Sequence, residues 1–479
     1  MRRQTPSGSF EPIAVVATPN SATSKIRRRT LAPILASIAL MSTACTEPPA
    51  PLAGTCRDCN IVLISIDTLR ADHLSSYGYS RSTSPFLDAL AEQGVLFERA
   101  FTPRGLTRPS VVSMLTSLYP AVSGVRNLHQ RLSEDVPTID SVLSGHGYET
   151  VSFLSGALLR ADDLHFARAF DGRDESNVKR TVAWLEENRD EKFFLWLHLL
   201  APHDDYDPPS EFDRFTRAEY SGAYDGTRDQ LMQVAMEKIE LSEEDQRHIA
   251  GLYDGEILYT DALVERVLGA LKGLELLERS IVIVVADHGE DLYQHNHYFQ
   301  HMYSTYDSSL RVPLFMKFPG APVGRRVQEI VQNIDIAPTI LDLVGLPVPA
   351  GFNGRSLLSL IEGTRQEGFD YALSELETDE GFGKIISIRT ARWRYVDNPG
   401  NRKPVGLPNH SFYEIAREEL YDLQSDPNEK TNVVDQHPDV AARLRERVRR
   451  LHSAHAPGEA GGEVDAETLD RLRALGYVE

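Results

Sequence analysis

Three apolar runs limit what this chain can fold into. The run Ile61–Ile66 is nearly all hydrophobic and rich in β-branched residues, and it stops at Asp67. "SIVIVVADHGED" reads the same way and stops at Asp287-His288. "FFLWLHLLAPHDDYDPP" carries His198 near its end and His203 just beyond. Runs without polar alternation suit strands covered on both faces, as in a parallel sheet between layers of helices. The stretches Ser84–Gln93, Val178–Asn188 and Tyr259–Leu271 fit the helical crossovers of a doubly wound fold. In open α/β sheets the ligand site lies outside the carboxyl ends of the strands. Separate buried strands therefore deliver Asp, Asp-His and His to one edge.

"GLTRPSVVSMLTSLYP" reads as the start of a helix, with Pro109 in its first turn and Val112, Leu115 and Leu118 on an apolar face. Two readings of Thr107 stand. It caps the helix, or its hydroxyl is a nucleophile held where the positive helix end binds an anion.

Taken singly, Asp67 reads as a cap for whatever follows its strand, and His198 as a core histidine. The density of His288, His295, His297 and His301 in "DHGEDLYQHNHYFQH" is unusual for a structural loop. Together the set suggests one divalent metal held by Asp67, Asp287, His288 and an oxygen, with Thr107 supplying the oxygen. Two carboxylates and an imidazole favour manganese or zinc, with calcium, which prefers all-oxygen shells, as the alternative. A hydroxyl beside such a cation at a helix N-terminus loses its proton more easily.

The 479-residue chain has a net charge of −20, which argues against a nucleic-acid partner and a polybasic membrane footprint. It leaves an anionic substrate open, because a site's field is local. Residues 1–45 read as a targeting segment. The basic cluster Lys25, Arg27, Arg28 and Arg29 precedes "TLAPILASIALM", which is too short to span a bilayer, and then "MSTAC". This resembles a bacterial lipoprotein signal with Cys45 as the lipidated residue, so an exported, periplasmic or outer-surface protein is expected, with its lipid anchor as the only membrane contact. Residues 46–58 read as a Pro-rich linker. Cys56 and Cys59 are either a small disulfide or two idle thiols, since no second cysteine pair completes a zinc site.

"NIVLISIDTLRADHLSSYGY", "LTRPSVVSMLTSLYP", "HLLAPHDDYDPP", "YDGEILYTDALV", "ADHGEDLYQH…RVPLFMKFPG", "WRYVDN" and "EELYDLQSDPNEKTN" occur in the order of their counterparts in the sulfatase family of the alkaline phosphatase superfamily. The chain resembles that family over nearly its whole mature length. The resemblance implies a three-layer α/β sandwich with a mostly parallel sheet over residues 59–365. A small C-terminal α+β subdomain with an antiparallel sheet follows over 366–454. Residues 455–479 read as a flexible Gly-rich link and a short amphipathic helix carrying Leu469, Leu472, Leu475 and Tyr477.

The chain departs from the family's pattern at its centre. Thr107 stands where the family has the Cys or Ser that becomes formylglycine, and threonine cannot form that aldehyde. Val111 replaces the arginine that follows Pro-Ser, and the strand ends read Asp67-Thr68 and Asp287-His288 rather than Asp-Asp and Asp-Asn. The metal set looks like that of the superfamily's phosphonate and phosphodiester hydrolases. The reading is a metal-dependent hydrolase of sulfate or phosphate/phosphonate esters, on a small molecule or glycan. Thr107 attacks in line, His203 contacts a non-bridging oxygen, His301 protonates or binds the leaving group, and His198 and Arg108 contact substrate. A threonine ester needs a second displacement, which is ordinary for phosphoryl transfer and favours phosphate or phosphonate esters. Glu290 is expected behind the metal ligands, and Tyr253, Asp254 and Glu256 as polar support. The alternative is an inactive surface lipoprotein that keeps the fold and binds sulfated or phosphorylated glycans.

Overall fold

The computed structural model describes residues 51–479 apart from 157–158, 160–163, 165–168, 238, 297, 302–304, 365–367, 379–380, 401–414, 455–456 and 475–479. The targeting segment with Cys45, and His297, Leu475 and Tyr477, lie outside the described residues.

The elements that carry the architecture are β1 (Asn60–Ile66), α1 (Pro85–Gln93), β2 (Val95–Phe101), α2 (Thr107–Thr116), β3 (Glu149–Ser155), β4 (Ala169–Gly172), α3 (Asp174–Glu187), β5 (Phe193–Leu199), α4 (Glu243–Gly273), β6 (Ser280–Ala286), β7 (Leu314–Lys317), β8 (Arg325–Gln332) and α5 (Ile336–Val344). The strands order as β8-β2-β7-β6-β1-β5-β3-β4 in one sheet. β1 runs parallel to both β5 and β6, whereas β7 is antiparallel to its two neighbours. Every residue of β1, β5 and β6 is buried, as unbroken apolar runs require. Helices cover the sheet in two groups, α1 and α3 against α4, and α2 against α5.

A second sheet follows: β9 (Tyr371–Thr378), β10 (Gly381–Thr390), β11 (Trp393–Asp397) and β12 (Glu418–Asp422), antiparallel throughout. α6 (Pro438–Ser453) packs on it through Val440, Leu444 and Val448, a buried stripe at helical spacing. Its arginines pair with acids of the sheet side: Arg445 with Glu418, Arg449 with Asp397. The mixed α/β body and the antiparallel C-terminal sheet are the expected fold.

Boundaries differ where long-range bonds decide them. α4 begins well before Tyr259, because Ser242 and Asp245 cap each other at its start. Residues 51–58 are no free linker. The Gly54 and Cys56 N–H groups donate to the carbonyls of Asp342 and Leu343 at the end of α5. Cys56 and Cys59 are buried free thiols, one turn apart.

The Gly-rich stretch after α6, expected as a flexible link, is a strap. Gly458, Gly461 and Val464 donate N–H groups to Ala121, Arg131 and His129. A side chain at Gly458 would stand 1.8 Å from the Val122 carbonyl oxygen, so only glycine lets the two backbones meet. α7 (Ala466–Ala474) then buries Thr468 and Leu472.

Candidate metal and nucleophile site

The parallel strands β1 and β6 end side by side, with Ile66 opposite Ala286. Their next residues, Asp67, Asp287 and His288, therefore meet. These three offer ligand atoms within 4.8 Å of one another, all buried. His288 Nε2 lies 3.5 Å from Asp67 Oδ1 and 3.5 Å from Asp287 Oδ2. Both Asp67 oxygens and Asp287 Oδ2 are buried with no hydrogen-bond donor. Buried carboxylate oxygens without donors are costly unless a cation satisfies them. The donor set therefore fits a divalent metal.

The site's electrostatics point the same way. Burial and the neighbouring Asp67 push the Asp287 carboxyl well above its ordinary range. Burial also opposes ionisation of Asp67, but His198, His203 and His288 outweigh it and hold that carboxyl below its usual value. Burial and then the adjacent His301 push His288 down to about 3, leaving a neutral imidazole, the form that ligates a metal.

Thr107 opens α2 and is not its cap. The cap position is Leu106, extended at φ −157° and without a capping side chain. The threonine hydroxyl instead lies 3.2 Å from His288 Nε2. The chain enters the helix there because Gly105 carries no side chain: a Cβ would stand 2.3 Å from Ser309 Oγ and 2.8 Å from the His301 carbonyl oxygen.

His301 Nδ1 lies 3.3 Å from Glu290 Oε1, while Nε2 is buried without a partner. Its ring stacks on His288 at 4.2 Å and meets His203 edge-on at 5.5 Å. Burial and then His203 push His301 down to about 3. Burial alone leads in raising Glu290, to about 8. His203 Nδ1 contacts Asp204, which Arg228 pairs at 2.9 Å.

One residue expected at substrate sits elsewhere. His198 lies behind Asp67, with Nδ1 2.8 Å from Ser65 Oγ and Nε2 3.6 Å from Asp67 Oδ2. Both ring nitrogens face protein groups, so His198 orients Asp67 rather than reaching outward. Arg108, next to Thr107, is buried like the rest of the site.

The sequence reading missed most of the supports. Ser110 Oγ donates to the Asp287 carbonyl at 2.6 Å, and Thr102 and Asn333 hydrogen-bond Ser110 Oγ. Arg70 donates to the Glu290 carbonyl. Tyr253 donates to the Thr68 carbonyl, which fixes the backbone just past Asp67. Thr68 itself sits at φ 54°, an uncommon conformation for a β-branched residue, with its N–H 3.3 Å from Asp287 Oδ1. Among these, the sequence points to Tyr253 as polar support and to Ser110 as part of the family motif, while Thr102, Asn333 and Arg70 carry no local signal.

The sulfatase family profile matches residues 59–346. The chain belongs to the sulfatase family. A profile described as N-sulphoglucosamine sulphohydrolase, C-terminal, matches residues 294–454. Arylsulfatase K of Rattus norvegicus is 26% identical over 452 residues, spanning 82% of this chain and 77% of its own. The Delta 4,5-hexuronate-2-O-sulfatase of Bacteroides thetaiotaomicron is 25% identical over 431 residues, spanning 78% and 84%. Two solved structures share the fold. A 2-O GAG sulfatase superposes at TM-score 0.68 with 22% identity over 87% of this chain and 94% of that one. The phosphonate monoester hydrolase from Silicibacter pomeroyi superposes at 0.68 with 20% identity over 83% and 96%.

Proposed function

We propose that this sulfatase-family hydrolase is metal-dependent and uses the Thr107 hydroxyl as its nucleophile. The observation that carries the reading is the position of that hydroxyl: 3.2 Å from His288 Nε2, at the first residue of a helix it does not cap. Asp67, Asp287 and His288 would hold the cation, with Thr107 Oγ1 beside them. A bound divalent cation would draw charge from the ester oxygens and ease loss of the Thr107 proton.

Thr107 Oγ1 attacks the central sulfur or phosphorus, and the bond to the leaving oxygen breaks. The leaving oxygen takes a proton from His301 Nε2 as Nδ1 takes one from the Glu290 carboxyl, which burial keeps protonated. The N-terminus of α2 stabilises charge on the non-bridging oxygens, with His203 contacting one of them. Water then displaces threonine from the ester, a histidine taking its proton. His198 acts only through Asp67.

The second displacement favours phosphate or phosphonate esters, a reading supported by the fold likeness to a phosphonate monoester hydrolase. A sulfate ester on an anionic sugar is the second reading, favoured by similarity to a hexuronate 2-O-sulfatase. An inactive glycan-binding protein would have no need of the buried carboxylates around a hydroxyl. The chain is further proposed to be exported and lipid-anchored at Cys45.

Aryl sulfate, phosphate, phosphodiester and phosphonate assayed with manganese, zinc or calcium test the reading. Turnover of one class, reduced at least about 10³-fold in Thr107→Ala, is expected. Equal turnover in the variant removes Thr107 from the chemistry, and the class turned over decides between the two substrate readings.

A further inference from the structure

A cleft of about 950 Å³ lies between β8 and the C-terminal subdomain, away from Asp67 and Thr107. Its charged lining is three arginines and two acids, Glu329 and Asp370. Arg325, Arg355 and Arg447 line it together with Phe369 and Tyr371. Arg447 stands 4.8 Å over the Tyr371 ring and pairs with Asp370 at 2.8 Å. Arg355 stands 5.9 Å over the Phe369 ring, with no carboxylate at ion-pair distance among the described residues. Arg325 donates Nη2 to the Leu360 carbonyl at 3.1 Å, while its Nε is buried without an acceptor. In a chain of net charge −20, Arg325 and Arg355, neither at ion-pair distance from a carboxylate among the described residues, are a local departure. Their planar donors match sulfate and carboxylate oxygens.

The cleft also has a direction. A smaller cavity of about 200 Å³ shares Arg355, Phe369 and Tyr371 and continues to Gln332. Arg325 and Gln332 are the two ends of β8, which pairs parallel with β2, Gln332 opposite Phe101. Phe101 leads into the loop that carries Thr107. The groove thus follows β8 for about 25 Å, at roughly 3.3 Å per residue, from the far edge of the sheet toward the nucleophile's edge.

We propose that this groove is a second binding site, for an anionic oligosaccharide. Arg325 and Arg355 take its sulfate or carboxylate groups, and the half-buried Tyr371 offers a ring face for its sugars. The inference rests on the reading that the ester is carried on an anionic glycan. It concerns retention of the polymer, not cleavage.

The test is binding of a labelled sulfated hexasaccharide to Thr107→Ala protein, where loss of turnover has no bearing. An uncharged oligosaccharide of equal length is the control. Arg325→Gln with Arg355→Gln should weaken binding about tenfold or more, while aryl ester turnover in the Thr107-intact background stays unchanged. Should that pair also lose aryl ester turnover, Glu329→Arg decides: it replaces an acid of the lining with a base and should tighten binding. Unchanged binding in both variants, or equal binding of the uncharged chain, overturns the proposal.

Discussion

Thr107 and Ser110 stand one helical turn apart, and both are tied to the end of β6: Thr107 through His288, Ser110 through the Asp287 carbonyl. That pairing sets the nucleophile's height above the cation ligands. Ser110→Ala would leave the carbonyl and the Thr102–Asn333 network short of a partner. A cost of about 1–3 kcal/mol in stability is expected, read as a lower urea midpoint. Turnover should fall with it, as Thr107 loses its anchor, and full activity would separate the anchor from catalysis. Thr107→Ser keeps the hydroxyl and should retain most of the rate that Thr107→Ala loses. Asp67, Asp287 and His288 were legible because strand ends advertise themselves: apolar runs halt on a carboxylate. The supports were not, since Thr102, Asn333 and Arg70 lie far apart in the chain and only the sheet order brings them to the site. The same holds for His198, whose role depended on which side of Asp67 it lay.

Elements were legible in proportion to their local signals. β1, β5 and β6 announce themselves by unbroken burial, whereas the start of α4 depends on a cap upstream of its apolar stretch. The strap at 457–464 shows the limit. Its composition reads as a link, yet its glycines serve close backbone approach, which no local pattern reveals. Gly458→Ala should therefore destabilise by about 2 kcal/mol or more, since the new Cβ meets backbone that cannot swing aside. An unchanged thermal midpoint would make the strap a loose tether after all. Within α4, Glu256 is pushed up to about 8 by burial, with the nearby Asp174 and Asp207 charges adding to it. The folded chain then keeps a proton that the unfolded chain has lost above its ordinary value of 4.5. Stability from this group is present below that value and is lost as pH rises to 8. Glu256→Gln should match the parent near pH 5 and exceed it by about 1 kcal/mol or more at pH 8 in urea unfolding. A constant difference across that range would assign the effect to packing.

At the scale of the molecule, an excess of negative charge coexists with a site built for anions because the decisive charges are few and buried. Asp67 and Asp287 end neighbouring strands at the centre of the sheet, so the fold itself brings two carboxylates together with both Asp67 oxygens and Asp287 Oδ2 lacking a donor. Folding without a cation must bear that repulsion and the lost hydration. Folding with one converts the cost into binding, and a ligand held only by the native state stabilises it by mass action, about 2.7 kcal/mol at a hundredfold excess over Kd. Manganese or zinc should thus raise the unfolding midpoint in a concentration-dependent way, calcium less so for a set that includes an imidazole. A chelator should reverse the gain, and Asp287→Asn should abolish most of it. The variant's own metal-free stability should equal or exceed the parent's, because it removes the carboxylate that burial and Asp67 oppose. Parent protein indifferent to all three metals would leave the strand-end carboxylates without the partner their geometry demands, and the mechanism built on them would fall with it.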